Sequence, residues 1–447
     1  MSDAAGQRAD ATAPAPIEPL KGAYRSYAMT LLLLLYVVNF LDRQVVNILA
    51  EPIKKDLGLA DWQLGMLTGL AFAGVYTVLG VAVARLAERA NRPLIIGTAI
   101  AIWSAFTALC GLAQNFVQLL LARFGVGVGE AGATPPAHSL IIDYVPPEKR
   151  SSALAFYGMG GPLGGLMGMA LGGVIADAHG WRTAFLVAGA PGILFALLAA
   201  FTLKEPRKGL NRSATATSAP SATIGETVKF LMSRRSYRCL VAAISMSTII
   251  SYAFAPFFAS FYLRNHADAV AKAAASVNLQ SIGFLGVSIG LLAGVLGTAG
   301  MFTGGQLADR FAAKDHRRYM YGAAIATLLS VIAFVAAMFV ESVWLSLGLF
   351  GVNFFFASSW YGPAYTASFT VAPAHMRATS SAIVLFISNM IGLGLGPVVV
   401  GLVSDVFAAS LGPAKGVKWS LTVLSSCSLL GAALFWTGAR TLRSDRA

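Results

Sequence analysis

Apolar runs of roughly 20 residues recur along this chain from Tyr27 to Leu442, and each is long enough to cross a bilayer as a helix. Only helices and closed barrels satisfy their backbone hydrogen bonds in lipid, and these runs lack the alternating polar positions of barrel strands. Charged residues make up only 12% of the 447, about half the share of a soluble domain. The sequence therefore predicts an all-α integral membrane protein.

The runs form two sets of six on either side of a polar stretch. The predicted spans are 26–50, 63–86, 93–113, 116–142, 150–176 and 183–203, then 237–264, 283–308, 317–340, 343–372, 377–406 and 418–441. We therefore expect a cytoplasmic tail over 1–25, a six-helix bundle over 26–203, a cytoplasmic linker over 204–236, a second bundle over 237–441 and a tail over 442–447. Within the linker, the Ser/Thr/Ala/Pro run 213–223 predicts flexibility. The part from Ile224 to Arg235 is either a short basic amphipathic helix or a solvated segment.

Three sequence landmarks recur in the same order in both halves. The matched pairs are 84–89 with 305–310, 146–150 with 373–377, and Gly173-Val-Ile-Ala-Asp177 with Gly401-Leu-Val-Ser-Asp405. Matched landmarks in one order indicate an internal repeat of the parallel kind found in transporters with two six-helix halves.

The distribution of basic residues predicts the orientation and argues against a nucleic-acid ligand. The net charge is +13, but the Lys and Arg residues are scattered between spans and form no single patch. With the N-terminus inside, 24 of the 33 lie in inner segments, 7 in outer segments, and Arg43 and Arg123 within spans. This asymmetry predicts that both termini are cytoplasmic. The three cysteines and five histidines are dispersed, so we expect neither a metal site nor a cofactor.

Four ionisable residues lie inside predicted spans: Asp42 and Arg43 in the first, Arg123 and Glu130 in the fourth. Charges at this depth are costly and usually face a bundle interior or an aqueous cavity. We expect Asp42 to pair with Arg123, which leaves Arg43 for Glu130 or an anionic substrate. Glu130 and Asp42 are the candidate proton carriers, and a static structural quartet is the alternative.

Two further groups of residues are candidate parts of a transport mechanism. Charges at the inner ends of spans two and eight could latch the inner face, or could simply set the topology: Glu88, Arg89, Arg92, Asp309 and Arg310. Aromatic side chains of the tenth span could line an apolar wall of the cavity for an amphiphile, or could only pack: Phe355, Phe356, Trp360 and Tyr361.

The amino-acid sequences of several of these segments resemble motifs of a known family. The loop motif of span two resembles the signature of the major facilitator superfamily, with Asn91 where that family usually has glycine. Asn39-Phe-Leu-Asp-Arg43, the segment from Arg123 to Ala131, and the opening Asp61-Trp-Gln-Leu-Gly of span two resemble the spinster family within it. The resemblance implies twelve helices in two six-helix bundles and transport of lysolipids or sphingosine-phosphate-like amphiphiles. It matches Asp42, Arg43, Arg123 and Glu130 to coupling and headgroup positions.

Other functions remain open at this point. Organic anion symporters have a segment similar to that of span one, so proton-coupled transport of a small carboxylate is the alternative. A membrane lipid-binding receptor is the alternative from another class. An enzyme is not expected, because the sequence contains no nucleotide-binding loop, nucleophile elbow or metal-ligand cluster. The expected partners are the substrate, protons and membrane lipids, for a monomer in a bacterial inner membrane.

Overall fold

The computed structural model describes residues 20, 22–207, 224–312, 315–373 and 376–445. Within these ranges the chain is helical and contains no strand. Eleven helical segments among the described residues are long and apolar enough to cross a membrane. They are Gly22–Ile48, Asp61–Gly80, Arg92–Cys110, Phe116–Tyr144, Pro147–Thr202, Arg235–Asn265, Ser281–Phe311, Arg317–Phe339, Val343–Val371, Thr379–Leu411 and Pro413–Thr441.

One of the eleven segments makes two passes, which gives the twelve spans that the sequence predicts. Its helix Gly160–Thr202 has 43 residues, about 65 Å of helix or twice the hydrocarbon core of a bilayer. Gly180 interrupts it with φ 84° and ψ 161°, a conformation open to glycine alone. Spans 5 and 6 lie on either side of Gly180. Gly412, which joins spans 11 and 12, has the same dihedral angles.

Three shorter helices flank the spans. Ala50–Leu57 and Ala267–Ser276 lie at the face opposite Leu20 and Asp445, the described ends of the chain. Ile224–Ser233 lies at the same face as the described ends of the chain, and it is helical, which is one of the two alternatives left open for this part of the linker. Its Leu231 is fully buried in the core of the second half beside Tyr237, so packing stabilises this helix. The run 213–223 lies outside the described residues.

Glycines of span 5 bring it into close contact with span 1. A side chain at Gly164 would clash with the carbonyl of Val37, and one at Gly168 would lie 2.5 Å from the carbonyl oxygen of Leu41. Small residues permit this approach of two backbones, which is the usual way membrane helices pack. This contact fixes the part of span 1 that directly precedes Asp42.

The two halves contact each other through span 2 with span 11 and span 5 with span 8. Three of these four helices contain a π-helical turn: Met66–Leu70, Leu292–Leu296 and Asn389–Leu395. In span 5, the helix Arg150–Gly158 ends just before Gly160–Thr202 begins. Irregular turns of this kind are frequent where helices serve a function. Each of these four helices is therefore interrupted along its length.

Candidate functional site

An ion pair between Arg43 and Glu130 joins spans 1 and 4. The Nε of Arg43 donates to Oε2 of Glu130, whose side chain is fully buried, whereas Arg43 is 20% exposed. The guanidinium lies 4.6 Å from the ring centroids of both Phe72 and Tyr76 and 5.2 Å from that of Phe40. Cation–π contacts hold a guanidinium against such faces. Of the two partners considered for Arg43 in the sequence, Glu130 is the one it contacts.

Asp42 and Arg123 do not form the ion pair expected from the sequence. Asp42 is fully buried, and its Oδ2 accepts a hydrogen bond of 3.2 Å from the hydroxyl of Thr107 on span 3. The Nε of Arg123 instead donates to the carbonyl of Leu67 at 3.3 Å. Asp42 follows Phe40 and Leu41 round the helix by about 100° per residue, and this rotation turns it toward span 3. The two charges still lie within electrostatic range of each other.

The second half contributes phenol groups opposite Arg43. Tyr252 and Tyr361 are 39% and 40% exposed, although both lie within electrostatic range of Tyr36 on span 1. Tyr252 is also within range of Arg43. Side chains that are exposed yet close to residues of the other half line a cavity between the halves. Tyr361 was among the residues predicted from the sequence, whereas Tyr36 and Tyr252 were not.

The other predicted aromatic residues differ in their surroundings. Phe355 and Phe356 are half-buried, and their rings meet edge to face at 5.2 Å. Trp360 is only 4% exposed and packs with Phe435 at 6.1 Å between ring centroids. Trp360 therefore contributes to the core of the second half and offers little surface to a ligand.

Arg92 is the centre of a buried charge cluster within the first half. Its NH1 donates to Asp143 at 2.7 Å and to the hydroxyl of Ser139 at 2.8 Å, and its NH2 pairs with Glu205. Arg207 also donates to Asp143, at 2.8 Å. Burial works to raise the pKa of Glu205, but the hydrogen bonds from Arg92 outweigh it and lower that pKa below its usual value. The cluster ties the start of span 3 to the end of span 4 and to the segment after span 6.

The remaining predicted latch residues do not join the halves in the described part of the chain. Asp309 and Arg310 are exposed and form no ion pair with another described residue. The side chains of Glu88 and Arg89 lie outside the described residues. The partners of Arg92 belong to its own half, so Arg92 does not form a latch between the halves here.

Charged residues join the two halves at the face that carries the short helices Ala50–Leu57 and Ala267–Ser276. Arg264, at the end of span 7, pairs with Glu51 at 2.6 Å and with Asp61 at 2.8 Å. Asp61 also pairs with Lys54 and accepts a hydrogen bond of 2.7 Å from the hydroxyl of Ser404. Asp61 and Glu51 are almost fully buried. We call these five residues the closed-face network.

Two aspartates at equivalent positions of the internal repeat form further hydrogen bonds between the halves at this face. Asp405, at the end of span 11, accepts hydrogen bonds from the backbone N–H groups of Asp61 and Trp62, which begin span 2. Asp177, at the end of span 5, accepts one of 2.6 Å from the N–H of Gly283, near the start of span 8. Carboxylates stabilise helix N-termini because the first N–H groups there lack partners within the helix.

The glycine four residues before each aspartate makes room for the helix that the aspartate caps. A side chain at Gly401 would clash with Asp61, and one at Gly173 would lie 2.7 Å from the carbonyl of Ile282. This Gly-xxx-Asp pattern is visible in the sequence as a landmark of the repeat, but its role as a cap between the halves was not predicted. The signal was its recurrence at the ends of spans 5 and 11.

A two-part helical bundle with charges buried at mid-membrane, a cavity between its halves and closure at one face defines a polytopic membrane transporter. Residues 32–397 match the model of the Major Facilitator Superfamily, and the chain belongs to that superfamily. It is 32% identical over 418 residues to an MFS-type efflux pump of Mycolicibacterium smegmatis, covering 94% of this chain and 93% of that protein.

Spinster proteins are also among its relatives. Protein spinster homolog 1 of Xenopus laevis is 23% identical over 441 residues, which are 95% of this chain and 82% of that one. A solved bacterial homologue of the human lysosomal transporter Spinster, inward-facing and unoccupied, superposes with a TM-score of 0.85 at 28% identity. The match covers 96% of this chain and 99% of that structure, which confirms the fold and the spinster resemblance.

An organic-anion transporter matches as well. The probable sulfoacetate transporter of Cupriavidus necator is 25% identical over 411 residues, 91% of each chain. The relatives are transporters and not enzymes.

Proposed function

We propose that this protein is an alternating-access transporter of an anionic or zwitterionic amphiphile such as a lysolipid or a sphingoid phosphate, coupled to protons through Glu130 and Asp42. The observation that carries the proposal is the Arg43–Glu130 pair, in which only the arginine is partly exposed. An anionic headgroup that enters the cavity can therefore reach Arg43 but not Glu130.

Competition for Arg43 provides the coupling. When a headgroup pairs with Arg43, Glu130 loses its partner while still fully buried. An unpaired carboxylate in that environment is costly, and taking up a proton removes the charge. Binding of the anionic substrate thus favours protonation of Glu130, and release of the substrate favours its deprotonation.

The walls of the cavity support an amphiphilic ligand. Arg43 lies among the rings of Phe40, Phe72 and Tyr76 on one side, and Tyr252 and Tyr361 are exposed on the other. A cavity with one cationic group and many aromatic faces suits a ligand with a charged head and an apolar body.

The closed-face network supports alternating access. We infer that both termini are cytoplasmic, so that this network closes the outer face and substrate enters or leaves from the inner side. Transport then requires that Arg264 separate from Glu51 and Asp61 while the inner ends of the spans approach.

Reconstituted protein in liposomes tests the proposal. Uptake of a fluorescent lysolipid and of a sphingoid phosphate is measured with and without an imposed pH gradient, for the wild type and Glu130→Gln. We expect the wild type to move the lipid faster with the gradient and the variant to lose this response. Equal response in both proteins would assign Glu130 a structural role only.

A proton-coupled symporter of small organic anions is the second candidate. The similarity to the sulfoacetate transporter favours it, since a carboxylate or sulfonate would also pair with Arg43. Competition by short-chain and long-chain anions in the same assay separates the two. If no lipid moves and a short-chain anion does, the second candidate replaces the first.

A further inference from the structure

A cavity of about 310 Å³ lies in the first half, at the face that carries the described ends of the chain. The first turns of span 1 and the beginning of span 5 form most of its wall, and Val145, which directly follows span 4, also lines it. None of the residues around Arg43 that form the candidate substrate site takes part. Its volume is within the range of pockets that hold small ligands.

Two basic side chains line this cavity without a counter-ion. Arg25 of span 1 is half-buried, and Lys149 lies directly before span 5. Neither side chain forms an ion pair or a hydrogen bond with another described residue, and no acidic residue among those described lines the cavity. Two positive charges that face one cavity without a partner attract an anion.

Three hydroxyl groups of the cavity wall are also available to a ligand. They belong to Ser26, Thr30 and Ser152, all exposed, and none of them forms a hydrogen bond with another described residue. Hydroxyl groups in the other spans commonly donate to the carbonyl four residues earlier, as Thr303 does at 2.8 Å. The three hydroxyls can therefore donate to the oxygens of a bound anion.

The rest of the wall is apolar and extends deeper into the bundle. Met29 lies one turn beyond Arg25, about 6 Å along span 1, and Phe156 lies two turns beyond Lys149, about 10 Å along span 5. The basic residues stand at the ends of membrane-spanning helices, where lipid headgroups surround a membrane protein. Cations at the rim and apolar side chains below them suit a lipid better than a free anion, which would use only the rim.

We propose that this cavity binds an anionic diacyl phospholipid of the surrounding membrane. Arg25 and Lys149 pair with the phosphate of its headgroup, the three hydroxyls donate to its oxygens, and its acyl chains lie against Met29 and Phe156. The bound lipid connects span 1 to the beginning of span 5 across a gap that the protein leaves open, and so stabilises the first half. The site uses neither Arg43 nor Glu130, so it stands or falls separately from the proposed function.

Native mass spectrometry of the delipidated protein in detergent tests the site. Phosphatidylglycerol and phosphatidylcholine with the same acyl chains are titrated, and the dissociation constants are compared. We expect one phosphatidylglycerol to bind preferentially, and Arg25→Gln/Lys149→Gln to weaken its binding about thirtyfold, since each basic residue near an anionic lipid contributes about fivefold. Arg235→Gln/Arg440→Gln is the matched control, because it removes the same charge from exposed positions at the same face and should bind like the wild type.

A variant that fills the cavity separates a built site from general attraction to a basic surface. Ala153→Phe places a ring in the cavity and keeps both cations, so we expect it to lose the preferential binding as well. Unchanged binding in Ala153→Phe, or equal losses in the two double variants, would mean that surface charge alone attracts the lipid. Displacement of phosphatidylglycerol by inorganic phosphate would assign the cavity to a free anion, and equal affinity for phosphatidylcholine would also overturn the proposal.

Discussion

The carboxylate of Asp405 accepts a hydrogen bond of 2.9 Å from the backbone N–H of Trp62, and this bond crosses from one half of the protein to the other. Asp177 makes the equivalent contact with Gly283 at the other junction between the halves. A pair of helix caps related by the internal repeat therefore holds the closed face on both sides of the cavity. Their loss is a necessary step in opening that face.

Asp405→Ala is expected to open the closed face more often. Removal of a helix cap costs about 1 kcal/mol, which corresponds to a change of about fivefold in the equilibrium between closed and open forms. Spin labels at positions 55 and 272, both exposed on this face, report the distance between the halves. We expect a larger population of long distances. Asp268→Ala, an exposed acid on the same face, is the control, and an unchanged distance distribution in Asp405→Ala would argue against a gating role for the cap.

Gly401→Ala tests the close approach that permits this cap. The added methyl group would clash with Asp61 and lie 2.6 Å from the Cα of Trp62, so the two helices must separate. We expect a lower melting temperature of the closed form and a shift to long distances between the same labels. Gly348→Ala provides the contrast, because nothing lies within 4 Å of the added group there. Equal behaviour of the two variants would show that the approach is not tight.

Arg264→Gln should have a larger effect than loss of one cap. It leaves Glu51 buried without a cation and Asp61 with only Lys54, and breaking a buried pair costs about 3–5 kcal/mol. We expect the closed face to open in most molecules and uptake to fall. The double variant Glu51→Gln/Arg264→Gln removes the unpaired charge and should recover much of the closed population. No recovery in the double variant would mean that Arg264 acts through another contact.

The fold was predictable because the length of an apolar run is a local property of the sequence. The fourth predicted span, 116–142, agrees with the observed Phe116–Tyr144 to within two residues. The double pass through Gly160–Thr202 was also predictable, since polar residues around His179 and Gly180 separate two apolar runs. The presence of a membrane-spanning helix follows from the hydropathy of its own residues and depends little on tertiary contacts.

The partners of the charged residues were harder to predict because they depend on how neighbouring helices rotate. Depth in the membrane favoured Asp42 with Arg123, but the hydroxyl of Thr107 on span 3 lies nearer. Arg92 was expected to reach the other half, yet Asp143 and Glu205 approach it from its own half. Spacing along one helix defines its faces but not which neighbour each face meets.

Glu205 makes the contribution of the charge cluster around Arg92 to the stability of the fold depend on pH. Its pKa is lowered in the folded protein, so Glu205 stabilises the fold at pH values above the pKa of an unfolded glutamate. That contribution is lost as the pH falls through the lower, folded value, where the carboxylate takes up a proton. We expect Glu205→Gln to lower the melting temperature in detergent at pH 7.5, and the difference from the wild type to shrink as the pH falls below the usual glutamate pKa of about 4.3 toward a pH of about 3. Glu148→Gln, at an exposed acid, should show no difference at either pH. A deficit in Glu205→Gln that is the same at both pH values would mean that the charge of Glu205 does not stabilise the cluster.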